Sequence, residues 1–449
     1  MNDLAYDPDE PIVALATAWG ESALAVVRTS GAGSIDRVAE IFSRPSALRE
    51  AAGNTLHHGR LLDNGEVVDE VIVSVFRAPA SYTGQESVEI ACHGSIPGIT
   101  RVVSLLKAHG FRDAGPGEFT LRAFLNRKMD LTQAEAVREI VSSRTARAHA
   151  LALHRLGGAV HDRIDSAKQR ITKLASTIEI GLDYPEEEVP GEIADALPDL
   201  RSIRGELAAL VDTYRTGKLY QEGVRVALCG RTNAGKSSLF NLFAREERSI
   251  VSEVHGTTRD YIEAWVVIEG IPMNLYDTAG LRSSLDPVEA EGIRRSEQII
   301  EHADIIVYIV DAETGLTPQD GPFLDRHQCI RVWNKVDLAA TQEPAGFIRV
   351  SAATGEGFDR LQRALLDEAA KGGPAASGQV VIDSLRQKEL LDRCVAALDH
   401  IAEGIDEGMP GDAVALDVRE ALDCLGEITG EVTSADILNT MFAGFCVGK

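Results

Sequence analysis

Basic residues are in short supply in this 449-residue sequence: 45 Lys and Arg stand against 69 Asp and Glu, for a formal net charge of −24. A field of that sign favours solubility and excludes a general polyanion-coating protein, so a nucleic-acid partner would have to be met by a local basic patch. Cysteine is scarce as well. Cys92, Cys229, Cys329, Cys394, Cys424 and Cys446 form no close pair and no metal-ligand spacing. That pattern excludes a disulfide framework and a cysteine-ligated metal, and implies reduced thiols, mostly small core residues. No apolar run approaches the roughly 20 residues needed to span a bilayer. The opening Met1-Asn2-Asp3 is polar and acidic, unlike a secretory signal. Internal repeats and low-complexity segments are lacking too. A cytoplasmic protein of two or three domains, with ample core, is expected.

What is present centres on Gly230-Arg231-Thr232-Asn233-Ala234-Gly235-Lys236-Ser237, between an apolar strand-like run, Val224–Cys229, and a helix-like run, Ser238–Phe243. Glycines let such a loop fold tightly, so that its backbone N–H groups and the helix N-terminus point at phosphate. Asn233, Ala234, Gly235, Lys236, Ser237 and Ser238 are the expected phosphate-contacting residues. Lys236 brings a point charge to the outer phosphates and Ser237 a hydroxyl to Mg²⁺. Short motifs of this kind also arise by chance in turns that bind nothing, so the decision rests on the residues downstream.

Asp277-Thr278-Ala279-Gly280 comes after a second apolar stretch, where a carboxylate and a Gly N–H can reach Mg²⁺ and the γ-phosphate. Asn334-Lys335-Val336-Asp337 follows Ile330–Trp333, and Ser351-Ala352 follows Phe347–Val350. Four motifs in this order, each at a strand end, resemble the guanine-nucleotide-binding domain of small GTPases. Asp337 explains the choice of base. Its carboxylate accepts from N1–H and the 2-amino group of guanine, whereas adenine would leave it unpaired. GTP and GDP are the expected nucleotides.

Four segments are expected along the chain. Residues 1–128 alternate short strands with turns, among them Ile12–Ala16, Leu24–Arg28, Val67–Phe76 and Ser87–Cys92, with a hairpin at Asp63-Asn64-Gly65. This is an α+β pattern. Residues 129–219 are helical, opening on a capping box at Asp130 and Gln133, with a weak point at Gly157-Gly158 and a last helix from about Ile193 to Tyr214. The nucleotide domain occupies 220–372, with a hairpin at Glu269-Gly270 and a final helix from Phe358 to Ala370. Helical periodicity returns over 373–449. The simplest account is one helical domain with the GTPase inserted into it.

The flanks carry a second resemblance. Pro116–Thr120, Arg122–Asn126, Asp130–Ala136, Glu427–Leu438 and the end Phe445-Cys446-Val447-Gly448-Lys449 resemble the MnmE (TrmE) family of tRNA-modification GTPases over essentially the whole chain. The fold class this implies is multidomain α/β and α: an N-terminal folate-binding-like α+β domain that dimerises, a discontinuous helical bundle, and an inserted Ras-like P-loop GTPase domain. The resemblance also implies an FAD-dependent partner protein and a tRNA substrate, with a homodimer joining that partner in a heterotetramer. Together they would build an aminomethyl or carboxymethylaminomethyl group on C5 of the wobble uridine. The carbon would come from a tetrahydrofolate derivative, 5-formyl or methylene. Arg28, Glu89, Lys128 and Lys449 fall at the family's folate-contacting positions, where cations suit glutamate-tail carboxylates and a carboxylate suits pterin N–H groups. Without the family, Arg28 is a strand-end arginine and Glu89 a solvated strand residue. Where the family often has a Gly- and Pro-rich turn, this chain reads Ala18-Trp19-Gly20-Glu21-Ser22-Ala23, a departure at the pocket edge.

Leu281 follows the Asp277–Gly280 motif where Ras-like enzymes place a water-orienting Gln, so another group must do that work. The resemblance supplies a K⁺ ion and a Glu. Asn233 would give its side-chain oxygen to K⁺, with Ser252, Val254 and Thr257 completing the shell as two nucleotide domains meet. The cation would then stand where an arginine finger's charge otherwise sits. Glu289 matches the water-orienting Glu; from the residues alone it is one acid in an acidic helix start. In the first switch, Gly256–Asp260, Thr257 and Thr258 both stay open as the Mg²⁺ and γ-phosphate ligand, Thr258 being the position assigned to Mg²⁺. Asn233, Lys236 and Glu289 are thus the candidate catalytic residues.

Two stretches keep two readings each. Arg144, Arg147, Arg155, Arg163, Lys168, Arg170 and Lys173 locally reverse the chain's charge and are the best candidates for tRNA phosphate contact. A solvated helix face paired with acids of neighbouring helices, for which Glu186–Glu188 are available, is the stronger of the two readings. Cys446 reads either as a nucleophile beside Lys449 or as a thiol packed in the apolar Phe442–Val447 segment. At the level of the whole chain, the alternative to a modification enzyme is a GTP-dependent ribosome-assembly switch of the Era or Der kind. No basic Gly-x-x-Gly RNA-binding module comes after the nucleotide domain, which disfavours that alternative.

Overall fold

The computed structural model describes residues 7–183, 197–246, 262–277, 297–338, 342–372 and 379–448. The chain falls into two compact units. One comprises Met1–Arg138, Arg155–Leu200 and Ala396–Lys449, the other Glu139–His154 and Arg201–Val395.

In the first unit a sheet is built from β1 (Ile12–Leu15), β2 (Ser22–Ser30), β3 (Thr55–Asp63), β4 (Glu66–Phe76), β5 (Ser87–Gly94) and the short β6 (Arg112–Asp113). Its order is β3-β4-β5-β2-β1-β6. Alternation along β4 shows how one face is chosen: Val71, Val73 and Val75 are buried while Glu70 and Ile72 are exposed. The expected turn sits between β3 and β4, with Asn64 and Gly65 at φ 49° and 88°. Three helices, α1 (Ser34–Glu40), α2 (Pro45–Arg49) and α3 (Ile96–Ala108), supply the other half of this domain. Ile99, Val102, Leu105 and Leu106 of α3 join the core of the buried face, and Ser95 caps the helix by accepting from Gly98 N.

α4 (Glu118–Leu125) is anchored by a buried ionic cluster. Arg122 and Glu118 are each 1% exposed, and Arg122 Nη2 donates to Glu118 Oε1 and to the Glu10 carbonyl at 2.7 Å. Arg112 closes on Glu118 with two further bonds, at 2.7 and 2.8 Å. Removing either partner would strand a buried charge, so the position of α4 is tightly set. The capping box at Asp130 forms as expected: Gln133 N donates to Asp130 Oδ1 at 2.8 Å and Asp130 N donates to Gln133 Oε1 at 3.1 Å. It opens α5 (Leu131–Ser142), followed by α6 (Ala146–Leu156) and α7 (Ala159–Asp183). The break expected at Gly157-Gly158 is there, with Gly158 at φ 95°. α7 packs on the helix Gly411–Thr429.

The last helix before the nucleotide domain departs from expectation. α8 (Leu197–Asp212) stops at Thr213, and α9 (Tyr214–Glu222) continues to the edge of the next sheet. Thr213 Oγ1 donates to the Leu210 carbonyl and accepts from Ile382 N, so the returning chain inserts where one helix would have run on. A Cβ on Gly217 would lie 2.1 Å from the Ile382 carbonyl oxygen, which is why glycine stands at that crossing.

The second unit holds β7 (Val224–Gly230), α10 (Lys236–Glu246), β8 (Ile262–Ile268), β9 (Ile271–Asp277), β10 (Ile305–Asp311), β11 (Ile330–Asn334) and β12 (Phe347–Val350). The order is β12-β11-β10-β7-β9-β8, all parallel except the edge hairpin β8–β9 through Glu269-Gly270. Val226, Leu228, Leu275, Val307, Ile309 and Val332 form its core, and the helix Phe358–Ala369 closes the fold as expected. Among the described residues no helix is long and apolar enough to cross a membrane.

Candidate functional site

A parallel sheet delivers its functional groups at the carboxyl ends of its strands. β7 ends at Gly230, β9 at Asp277 and β11 at Asn334. Ser351 comes directly after β12. Gly230 borders a cavity of about 1040 Å³ walled by the loop after β7, with Arg231, Asn233, Lys236, Ser237 and Lys335 among its lining. Gly230 could carry no side chain: at φ 137°, an added Cβ would meet the Ile309 carbonyl oxygen at 2.2 Å. A Cβ added to Gly235, at φ 94°, would meet Asn334 Nδ2 at 2.1 Å.

Lys236 is 6% exposed, and its ammonium donates to the Gly230 and Arg231 carbonyls at 2.8 and 2.7 Å. Those bonds hold the charge inside the loop that phosphate oxygens would enter. Ser237 Oγ donates to Asp277 Oδ2 at 2.6 Å. A hydroxyl and a carboxylate so placed form the hard oxygen pair Mg²⁺ takes beside nucleotide phosphates, and the residues fit that ion. Asn233 adopts a left-handed backbone, φ 64°, which a short amide side chain tolerates, and it lines the same cavity. An amide oxygen there is a suitable K⁺ ligand.

The base-recognition motifs are tied to the phosphate loop. Asn334 Nδ2 donates to the Ala234 carbonyl at 2.8 Å, and Ala352 N donates to Asn334 Oδ1 at 3.1 Å. Ser351 Oγ donates to Asp337 Oδ1 at 2.6 Å while Asp337 stays exposed. Sequence reasoning missed Asp311, which accepts from Lys335 Nζ at 2.7 Å. Burial would raise the Asp311 carboxyl, but hydrogen bonds from Lys335 and backbone N–H groups outweigh it and hold the group below its ordinary range. The signal available was an Asp closing the apolar run of β10. Tyr308 and Gln319, which also line the cavity, carried no signal. Thr278, Ala279, Gly280, Leu281, Glu289, Ser252, Val254, Thr257, Thr258 and Lys449 lie outside the described residues, as do Glu186–Glu188.

Comparison with known proteins decides the family. The model described as MnmE helical domain matches residues 131–446, and that described as GTP-binding protein TrmE N-terminus matches 11–128. A tRNA modification GTPase MnmE of Borreliella burgdorferi is 42% identical, with 99% of each chain covered. The chain belongs to the MnmE family of tRNA-modification GTPases. MnmE proteins of Treponema denticola, 40% identical with 99% of each chain covered, and of Carboxydothermus hydrogenoformans, 37% identical over 98% of this chain and all of that one, agree. The family carries the three-part architecture of N-terminal domain, helical domain and P-loop GTPase, and its members are GTP-hydrolysing enzymes of tRNA modification. Partial similarity extends to solved structures of Era from Aquifex aeolicus (24% identity, 39% of this chain, 66% of that chain, TM-score 0.28) and of the FeoB G domain from T. maritima (24% identity, 32% of this chain, 98% of that chain, TM-score 0.26).

The N-terminal MnmE-like domain presents a second cluster. Arg28 and Glu89 are cross-strand neighbours on β2 and β5, and Arg28 Nε donates to Glu89 Oε1 at 2.7 Å. Arg28 Nη1 donates to the carbonyl of Gly448 at 3.1 Å, which brings the C-terminal segment to the strand pair. The rings of Tyr82 and Phe119, unnoticed in the sequence, each lie 5.7 Å from the Arg28 guanidinium carbon. Lys128 does not join this contact set; its ammonium donates to the Pro79 carbonyl at 3.1 Å. Cys446 is exposed.

The basic stretch is largely committed to packing. Arg144 lies over the Trp265 ring at 3.9 Å and Arg147 over Tyr220 at 5.8 Å. Arg155 is 2% exposed, Lys168 pairs with Glu431, and Arg170 pairs with Asp199. Arg163 and Lys173 remain exposed. Among these cations, the helix face paired with neighbouring acids describes Lys168 and Arg170 best, although the acids are Asp199 and Glu431 rather than those expected.

Proposed function

We propose that this GTPase works with an FAD-dependent partner protein to install an aminomethyl or carboxymethylaminomethyl group on C5 of the wobble uridine of certain tRNAs, drawing the carbon from 5-formyl- or methylene-tetrahydrofolate. The observation that carries this reading is the meeting of Arg28, Glu89 and Gly448 beside two aromatic rings. A folate offers a flat ring with N–H donors and a carboxylate tail, and the cluster offers an acceptor, a cation and ring faces. Arg28→Ala is expected to weaken tetrahydrofolate binding about tenfold or more, with GTP affinity unchanged, as read by calorimetry. Unaltered folate affinity would return Arg28 to a cross-strand ion pair.

The homodimer belongs to the same reading. On the sheet face away from α1 and α3, the face that also carries Arg28 and Glu89, Leu24, Leu56 and Ile72 are 62%, 71% and 46% exposed. A sheet face that leaves such residues in water suits a second copy, which would flank the folate cluster. The domain bounds that go with it are 1–128, 129–219, 220–372 and 373–449.

In the nucleotide site Asp337, held by Ser351, would read guanine; Lys236 would meet the β- and γ-phosphates, and Ser237 with Asp277 would hold Mg²⁺. K⁺ on Asn233 would supply charge to the leaving phosphate oxygens, and Glu289 would orient water. GTP turnover is expected to rise at least tenfold in K⁺ over Na⁺ at equal ionic strength, and Asn233→Ala to erase the difference. Equal rates in both salts would remove the ion from the mechanism.

A further inference from the structure

Lys236 and Lys335 both line the cavity after β7, and their partners differ in kind. The Lys236 ammonium rests on two backbone carbonyls, those of Gly230 and Arg231. The Lys335 ammonium rests on a carboxylate, Asp311 Oδ2, at 2.7 Å. That second contact adds the attraction of opposite charges to the hydrogen bond, which a neutral carbonyl does not supply. When phosphate enters, the ammonium on neutral carbonyls turns to it, and the ammonium on the carboxylate stays.

Asp311 is itself held on three sides. It ends β10 in register with Asn334 of β11, and Ala312 N donates to the Asn334 carbonyl at 2.8 Å. The Asp311 carbonyl accepts from Gly315 N at 2.9 Å and its Oδ1 from Glu313 N at 2.9 Å, which leaves Oδ2 for Lys335. Lys335 takes a left-handed backbone, φ 65°, a conformation uncommon for a residue with a side chain. Its stem lies over the phosphate loop, with Cε 4.0 Å from where a Cβ on Gly235 would stand. The Lys335 and Asp311 side chains are 28% and 14% exposed, so solvent screens the pair only in part.

We infer that Asp311 is a positioning residue for guanine: by holding the Lys335 ammonium it keeps the methylene stem of that side chain stretched as the apolar support for one face of the base. The inference rests on Asp337 as the reader of guanine and adds what lies against the ring. A nucleotide joined to Asp337 by its base edge and to the phosphate loop by its phosphates must cross the ground between them. The Lys335 stem, from the same short segment as Asp337 and over Gly235, lies on that ground. A methylene stem covers a flat apolar surface while its charged head is held elsewhere. Without the carboxylate the ammonium would turn to the phosphates, where Lys236 already serves, and the stem would leave the ring. Asp311 touches neither base nor phosphate in this arrangement, so its effect falls on binding rather than on the chemical step.

The test uses the full chain, release of a fluorescent GDP analogue in stopped flow, and steady-state GTP hydrolysis. Asp311→Asn keeps Oδ1 for Glu313 N and puts an amide N–H₂ in place of Oδ2. Asp311→Ser, whose hydroxyl can accept the same bond, repeats the measurement should the amide variant not fold. Release is expected about tenfold faster and KM for GTP raised by a similar factor, with kcat within about threefold of native. In the Lys335→Met background, where no ammonium needs holding, the same change should alter release less than about twofold. Equal acceleration in both backgrounds would show Asp311 acting through the Glu313–Gly315 turn and overturn the inference. Release within about twofold of native in Asp311→Asn, or a fall in kcat at unchanged KM, would overturn it too. Asp337→Asn, measured alongside, keeps the two readings apart. Undiminished GDP affinity there removes guanine from Asp337 and the inference with it, whereas lost affinity with no coupling between Asp311 and Lys335 overturns the role of Asp311 alone.

Discussion

Asp337→Asn is expected to cost about 10⁴-fold in GTP affinity and to create affinity for xanthosine triphosphate. The native carboxylate has two acceptors for two donors, N1–H and the 2-amino group of guanine. An amide turns one acceptor into a donor, which then faces the 2-amino group and leaves both unpaired in a desolvated site. Xanthine carries a carbonyl at that carbon, so the amide N–H finds an acceptor and the amide oxygen still takes N1–H. Ser351 Oγ, 2.6 Å from Asp337 Oδ1, can donate to the amide oxygen as it does to the carboxylate, so the side chain keeps its direction. Competition binding with both nucleotides reads the result. Retained GTP affinity in the variant would mean that base recognition lies elsewhere.

Lys236→Met should reduce GTP hydrolysis by about 10³-fold or more at saturating Mg²⁺. Methionine keeps much of the buried stem, and what it loses is a charge held 2.8 and 2.7 Å from the Gly230 and Arg231 carbonyls. Those carbonyls hold the ammonium ready, and phosphate oxygens would replace them as partners. Because the charge serves binding as well as the transition state, kcat and nucleotide affinity should both fall. Single-turnover assays with thermal unfolding as a control make the check; a rate within tenfold of native in a folded variant would exclude Lys236 from phosphate stabilisation.

How much was legible depended on how narrowly chemistry constrains a position. Gly230 and Gly235 could be read because no side chain fits beside Ile309 and Asn334, and Asp337 because only one base satisfies it. The capping box at Asp130 and the turn at Asn64-Gly65 were visible for the same reason: each is a local hydrogen-bond or backbone requirement written in a few residues. Features set by distant partners were not visible. The stop at Thr213 is made by Ile382, which is remote in the chain. Asp311 matters through Lys335, and Tyr82 and Phe119 through Arg28. The positive charges of Lys168 and Arg170 suggested phosphate until Glu431 and Asp199 proved to be beside them. Helices α1 to α3 escaped notice among strong strand patterns, since α1 and α2 are too short to show a period.

The central claim joins the nucleotide site to a modification at the wobble uridine. Its most direct test is nucleoside mass spectrometry of total tRNA from cells lacking this protein, complemented with the native chain, with Lys236→Met or with Arg28→Ala. The account predicts that the C5-aminomethyl and carboxymethylaminomethyl uridines disappear in the deletion, return with the native chain, and fail to return with either variant. Unchanged levels of these nucleosides in the deletion would contradict it.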